Sequence, residues 1–337
     1  MTSRGFGSVF ATHMELYLDD HAARGFSNNC HIKTLRHFDR FVTKRGLSEE
    51  IISQEIYDEW FSTMDSLRYT TRYQSAVHLR TFAIFLTKLG IPSFIPRLPK
   101  YKRSDYVAYI FSTDEIDKIF DACDKTIIRK RSLTSILMVM PSLLRLLYST
   151  GIRVGEALAI RNRDLNFEKH VITLYYTKNG HERLAPINAT LEVVLKQYIN
   201  YRNKMPVHGI DSPDNYLFVT LQGKQVRENS VLANFKRVLE MSGIVDAYNS
   251  KLPRIHDLRH TACVHAMCKM LRQGKDLYCH LPILATFMGH VKITDTEYYL
   301  KLVQQQYPEL IKQQVSVVES ITGIVNRALI IKSEDDV

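Results

Sequence analysis

Val171-Ile172-Thr173-Leu174-Tyr175-Tyr176-Thr177-Lys178-Asn179-Gly180-His181-Glu182-Arg183-Leu184-Ala185-Pro186-Ile187 is the one stretch of this 337-residue chain that reads convincingly as β. Its first seven residues are β-branched and aromatic. Asn179-Gly180 is the strongest short hairpin signal, and Glu182 to Ile187 is the return strand. Everything around it has helical spacing. Downstream, Leu191, Val194, Leu195, Tyr198 and Ile199 mark a helix over 190–203. Val231, Phe235, Val238 and Leu239 mark another over 230–241, closed by Gly243. Upstream, Ser112-Thr113-Asp114-Glu115 is a capping box that opens a helix to Cys123. An apolar helix over 135–149 ends at Gly151, and a short helix follows Arg153. Nearer the start, four helices are expected over 9–23, 29–45, 55–65 and 70–89, enough for a compact bundle. The expected fold is mainly α with a small antiparallel β-sheet.

Between the bundle and the later helices lie Pro92, Pro96 and Pro99, then Lys100-Tyr101-Lys102-Arg103. Prolines with a basic run and no periodicity predict a linker. The expected division is 1–95 for the helical bundle, 96–110 for the basic linker and 111–337 for the second domain. Lys100, Lys102 and Arg103 are candidate nucleic-acid contacts.

The bulk numbers agree with a globular chain that meets a polyanion. Forty-five Lys and Arg against 35 Asp and Glu give a formal charge of +10. DNA, RNA and an anionic membrane surface all fit that charge. No apolar leader follows Met1, and the longest apolar stretch, 135–148, is broken by Pro141 and Arg145, so no membrane span is expected. The expected location is cytosolic, or nuclear in a host with a nucleus. The five cysteines are few and scattered, which suits free thiols. Cys263, His265, Cys268, Cys279 and His280 cluster locally, but the spacing matches no common zinc finger. Burial beside Arg259 is the favoured reading.

A sparse set of residues carries chemistry. Arg153 lies in Thr150-Gly151-Ile152-Arg153-Val154-Gly155-Glu156, just past a helical glycine at a helix start. A guanidinium fork suits a phosphate, and Glu156, three residues on, can hold it by an ion pair. In His256-Asp257-Leu258-Arg259-His260, His256 and Arg259 are spaced i, i+3 near a helix start and face one point; His260 and His265 are read as structural. Lys178 is placed at the hairpin tip, where a lysine can reach a groove and donate a proton. Arg183 is read as a strand-face residue or a backbone phosphate contact. His290 follows Gly289 at the end of a helix expected from about Pro282. A second capping box, Thr294-Asp295-Thr296-Glu297, opens the helix that carries Tyr298 and Tyr299. Those two tyrosines are about 100° apart around a helix, so only one can face a given point.

In that order and spacing, Arg153, Lys178, His256, Arg259, His290 and Tyr299 resemble the active site of the tyrosine recombinase (phage integrase) family. The resemblance covers 112–302; the bundle matches only in size and helical character. It implies a helical-bundle core-binding domain on DNA, a tyrosine-recombinase catalytic domain, and a third strand near 164–167. It implies that Tyr299 attacks a scissile phosphate to form a 3′-phosphotyrosyl link. Arg153 and Arg259 would neutralise the phosphate, and His256 would accept the phenol proton. His290 would hydrogen-bond a phosphate oxygen, Lys178 would protonate the departing 5′-oxygen, and Glu156 would support Arg153. Neither metal nor ATP is implied, so no cofactor is expected.

The implied partners are double-stranded DNA and further copies of the chain, as a tetramer on paired sites. A related recombinase or accessory factor also fits. Val315, Val318, Ile321, Ile324, Val325 and Leu329 form an apolar stripe that would dock on a neighbouring subunit or on its own domain. The absence of an extra arm-binding domain favours a mobile-element recombinase or transposase, acting in integration, excision or transposition. The competing readings are a type IB topoisomerase-like enzyme and a catalytically silent DNA-binding relative.

Overall fold

The computed structural model describes residues 4–102, 106–126, 134–175, 182–244, 252–290, 292 and 294–307. The chain forms two compact units, 1–106 and 107–337.

The first unit is built from α1 (Ala11–Ala23), α2 (Asn29–Arg45), α3 (Gln54–Ser62) and α4 (Tyr69–Lys88). Its helices form because their apolar residues recur once per turn and meet in one core. Phe10, Met14, Leu18, Leu35, Phe38, Trp60, Phe82 and Leu86 are all sealed from solvent there. Trp60 packs edge-on against Phe38 (5.7 Å, 87°) and donates its indole N–H to His37 Nδ1 (2.9 Å). Both its apolar body and its one polar atom are thereby satisfied. Gly46, left-handed at φ +72°, ends α2. The first part of the expected linker packs on this unit: Arg80 donates to the Pro96 carbonyl, and Tyr69 to that of Lys100. The Lys102 ammonium lies over the Tyr69 ring (5.5 Å). Arg103 falls outside the described residues.

The second unit follows the expected order with shifted boundaries. α5 (Thr113–Asp124) opens on the capping box, Ser112 and Glu115 serving each other's backbone N–H groups. α6 (Met140–Thr150) begins five residues later than expected, because proline is tolerated only in a helix's first turn and Pro141 therefore marks the start. α7 (Val154–Ala159) is followed by a 3₁₀ turn at Asn162–Asp164. The sheet is β1 (Leu165–Asn166), β2 (Val171–Leu174) and β3 (Arg183–Pro186), antiparallel in that order. Ile172 pairs with Ala185 and Leu174 with Arg183, and Ile172, Leu174 and Ala185 are buried. The hairpin tip, with Lys178, Asn179 and Gly180, lies outside the described residues.

α8 (Ala189–Arg202) and α9 (Glu228–Ser242) pack behind the sheet's strands and α6 around one continuous core. α10 (Ile255–Arg272), α11 (Leu277–Met288) and α12 (Thr294–Gln306) complete the unit. α11 starts a full turn before Pro282, so the proline is inside it. The buried stripe Leu277, Leu281, Leu284, Ala285 and Met288 holds the helix against α10 despite the missing N–H. The stretch 315–329 falls outside the described residues. No helix among the described residues is long and apolar enough to cross a membrane.

Candidate active site

Two left-handed glycines and two acidic turns place the site's side chains. Gly151 (φ +60°) ends α6 and turns the chain into Arg153, the residue that opens α7. Glu156 Oε2 accepts the Arg153 backbone N–H (2.9 Å), and Oε1 accepts from its guanidinium (2.8 Å). An arginine side chain cannot accept a bond in return, so the acid alone closes this turn. α10 opens the same way, Asp257 Oδ2 accepting the Arg254 backbone N–H (2.7 Å). Asp257 is buried, while His256 is at the exposed start of the helix.

Arg259 is 2% exposed. It donates to the carbonyls of Gly151 and Met288 and to His290 Nε2 (3.0 Å). Burial, and then the neighbouring Arg153 charge, lower its pKa to about 10, so it stays charged at neutral pH. A guanidinium only donates, so His290 Nε2 must accept. The His290 proton is therefore on Nδ1, bonded to Thr296 Oγ1 (2.8 Å). Burial and Arg259 push the His290 pKa down to about 4, which keeps that tautomer neutral.

Tyr299 is 3% exposed on the inner face of α12, beside Leu302 and Val303. Its ring stacks parallel to that of His290 (5.9 Å, 4°). Tyr298 is 36% exposed and accepts a bond from the Ala108 N–H (3.4 Å). The two tyrosines thus face different ways, as helix geometry requires. The hydroxyl of Tyr299 meets His260 Nδ1 at 3.1 Å. This corrects the reading of His260 as structural. Four residues from His256 is only about 40° around a helix, and the two rings pack edge-on (4.8 Å, 87°). Burial, then the charges of His256 and Arg259, depress the His260 pKa to about 3. Burial also raises the Tyr299 phenol well above its usual value, against the pull of Arg259. His265 is indeed structural, bonded to the Tyr148 hydroxyl (2.8 Å).

Arg183 is the residue whose place sequence reasoning missed. It donates to Glu156 Oε2 (2.9 Å) and is inside the cluster rather than out on the sheet. Strand alternation held the signal: Arg183 shares a face with buried Ala185. The structure thus brings Arg153, Glu156, Arg183, Arg259, His260, His290 and Tyr299 together. It puts His256 at their rim, and Lys178 is outside the described residues. Cys263 and Cys268 are buried and Cys279 is exposed. Among the described residues, no group of three His, Cys, Asp or Glu is placed to hold a metal.

Comparison with known proteins gives one answer. Residues 110–306 match the model of the phage integrase family. A putative integrase/recombinase of Sinorhizobium fredii, y4rB, is 29% identical over 265 residues, 77% of this chain and 78% of the relative. The tyrosine recombinase XerA of Pyrococcus furiosus is 28% identical over 316 residues, 93% of this chain and 95% of the relative. Among solved structures, the XerH site-specific recombinase bound to its palindromic difH substrate shares the fold. Its TM-score is 0.60 at 18% identity, over 86% of this chain and 79% of that one.

Proposed function

Since the chain belongs to the phage integrase, or tyrosine recombinase, family, we propose that it cuts and rejoins double-stranded DNA with Tyr299 as nucleophile. The observation that carries the reading is the Tyr299 hydroxyl held by a neutral imidazole beside a nest of arginines. The phenol oxygen forms a bond to phosphorus as the bond from phosphorus to the 5′-oxygen breaks, leaving a 3′-phosphotyrosyl link. The phenol proton passes to His260 Nδ1, with His256 packed behind it. Arg153 and Arg259 meet the growing phosphate charge with fixed donors, which need no rearrangement at the moment of reaction. His290 Nε2 stays the acceptor that orients Arg259 towards the phosphate, its own proton held on Nδ1 by Thr296. Lys178, on the strength of its place in the sequence, protonates the leaving 5′-oxygen. The ester energy stays in the covalent link, so the reverse attack by a 5′-hydroxyl reseals the strand.

The partner is duplex DNA, in the compartment that holds it, and strand exchange takes place in a tetramer on paired sites. Lys100, Lys102 and Arg103 follow the DNA backbone. The stripe 315–329 docks on a neighbouring copy: deleting 316–337 abolishes tetramers on DNA and spares duplex binding, whereas unchanged tetramers would refute that role.

Covalent capture tests the chemistry. Nicked duplexes from the ends of the DNA element around the gene are mixed with protein in EDTA and run on a denaturing gel. A protein–DNA adduct is expected with the wild type and with Tyr298→Phe, and none with Tyr299→Phe. An adduct that survives Tyr299→Phe would overturn the assignment. DNA binding without any adduct would favour a silent relative.

A further inference from the structure

Arg183 is an arginine on the core-facing side of a sheet. Its register partner Leu174 and its same-face neighbour Ala185 are both buried. Its own side chain is 9% exposed. One N–H group reaches Glu156, while Nε and Nη1 are buried and find no partner among the described residues. Leaving such donors unmade is costly; Arg72 and Arg161 each leave one buried nitrogen without a partner among the described residues, whereas Arg183 leaves two. Arg202 is the contrast in this same chain: fully buried, it spends its donors on Asn162, Asn203 and the Leu217 carbonyl.

A second observation fixes the guanidinium from the other side. Gly289 is left-handed at φ +67°, and a Cβ there would lie 2.6 Å from Arg183 Nε, 2.9 Å from Cζ and 3.0 Å from Cδ. Cζ and Cδ are almost as near as Nε. That pattern belongs to a point above the guanidinium plane; an approach along the N–H edge would hold both carbons well beyond Nε. The backbone just before His290 therefore lies over the face of Arg183 and not along its N–H edges. Glu156 is the hub on the opposite side, its carboxylate shared between Arg153 and Arg183. Three guanidiniums and one carboxylate leave two net positive charges at the site.

We propose that Arg183 is a positioning residue for the scissile phosphate: through Glu156 it fixes Arg153, it adds the third guanidinium charge, and it requires glycine at 289. The proposal rests on the recombinase reading given above. It makes Arg183 part of the reaction's electrostatics rather than a remote contact to the DNA backbone. It also makes Gly289 a steric requirement of the chemistry, beyond its use as a helix cap.

The experiment measures single-turnover adduct formation and duplex affinity for wild type, Arg183→Gln, Arg183→Lys, Gly289→Ala, Glu156→Gln and the Glu156→Gln/Arg183→Gln double variant. Arg183→Gln is expected to slow cleavage by about 100-fold, the loss typical of one fixed donor in a reacting site, and by more than it weakens duplex binding. Arg183→Lys, which keeps the charge, should recover most of that rate, and Gly289→Ala should resemble Arg183→Gln. The double variant should fall no further than the slower single variant, because both act on Arg153. Equal rates in wild type and Arg183→Gln would overturn the proposal, as would equal losses in Gln and Lys or an additive double variant. If Arg183→Gln does not fold, the Lys variant's rate and the Gly289→Ala defect decide by the same criteria. An adduct absent from wild type would instead sink the recombinase reading itself.

Discussion

Glu156→Gln is the sharpest test of how the site is held. The carboxylate is 3% exposed and accepts three bonds, one from the Arg153 backbone, one from its guanidinium and one from Arg183. Glutamine has the same shape but only one oxygen. Placed at Oε2, that oxygen keeps the backbone and Arg183 bonds, and the amide N–H₂ then points donors at the Arg153 guanidinium. One charged bond is lost and a repulsive contact replaces it, in a place where two guanidiniums need the negative charge. Charged hydrogen bonds contribute about 1.5–3 kcal/mol each, and removing one partner of a buried pair costs about 3–5 kcal/mol. A loss of about 3 kcal/mol at pH 7 follows.

The pH dependence adds a signature that a packing defect lacks. Burial alone would raise the Glu156 pKa, but the bonds from Arg183 and Arg153 outweigh it and hold the folded value below the usual one. A carboxylate with a depressed folded pKa stabilises the protein above its unfolded pKa, about 4.3. That contribution disappears as pH falls through the lower folded value. The gap between wild type and Glu156→Gln should therefore be widest near neutrality and close on acidification below the carboxylate range. Urea unfolding followed by far-UV circular dichroism measures it. Trp60, the sole tryptophan, belongs to the first unit, so its fluorescence transition should not move. A gap under about 1 kcal/mol at pH 7, no more than an exposed pair contributes, would refute the reasoning, and so would a gap that persists in acid.

Two further outcomes follow from backbone and burial. Gly151→Ala places a methyl 2.9 Å from Met288 Sδ at φ +60°; the left-handed cost of about 1–2 kcal/mol should lower the urea midpoint of the second unit and loosen the carbonyl that holds Arg259. In the first unit, His21, His31 and His78 stack with centroids 4.4 and 4.2 Å apart, beside Tyr17, and burial followed by the neighbouring imidazoles lowers the His31 pKa to about 4. Since the neutral ring is the one the fold accepts, stability is lost as pH falls from about 6.5 towards 4, by about 1 kcal/mol once solvent screening of a half-exposed ring is allowed for. Trp60 fluorescence should report that loss, and His31→Phe should flatten it; an unchanged slope in the variant would refute the assignment.

Much of this architecture was legible because it is local. The α2 boundaries follow from helical spacing and Gly46, and the hairpin's strands from β-branched runs around Asn179-Gly180. Helix rotation showed that only one of Tyr298 and Tyr299 could face the site, and the family resemblance picked Tyr299. The misses are of two kinds. Pro141 was passed over as a helix start, which it is, and Pro282 was read as a start, which a buried stripe on α11 overrides. Arg183, Glu156 and Gly289 are far apart in sequence, and no periodicity links them, so their shared contact is a property of the packed fold. His260 and Arg183 each carried a signal, helical i+4 for one and strand period 2 for the other. Both were hidden by attention to the motif residues beside them.

The resting state of the site also limits how the reaction can begin. Three of the five Arg259 N–H donors are committed to Gly151, Met288 and His290, which fix the guanidinium from behind and leave the others for the phenol and an incoming oxygen. The phenol is buried with its pKa raised, and His260 is a weak base with its pKa lowered. A phenolate is therefore not a resting species of the free protein. A bound phosphate, being negative, would disfavour it further unless the arginines take up that charge. Under the proposed mechanism the proton must leave the phenol as the bond to phosphorus forms, so deprotonation and attack belong to one step. That coupling keeps Tyr299 unreactive until a phosphate is seated among the guanidiniums, the order a strand-exchange enzyme needs to avoid stray breaks.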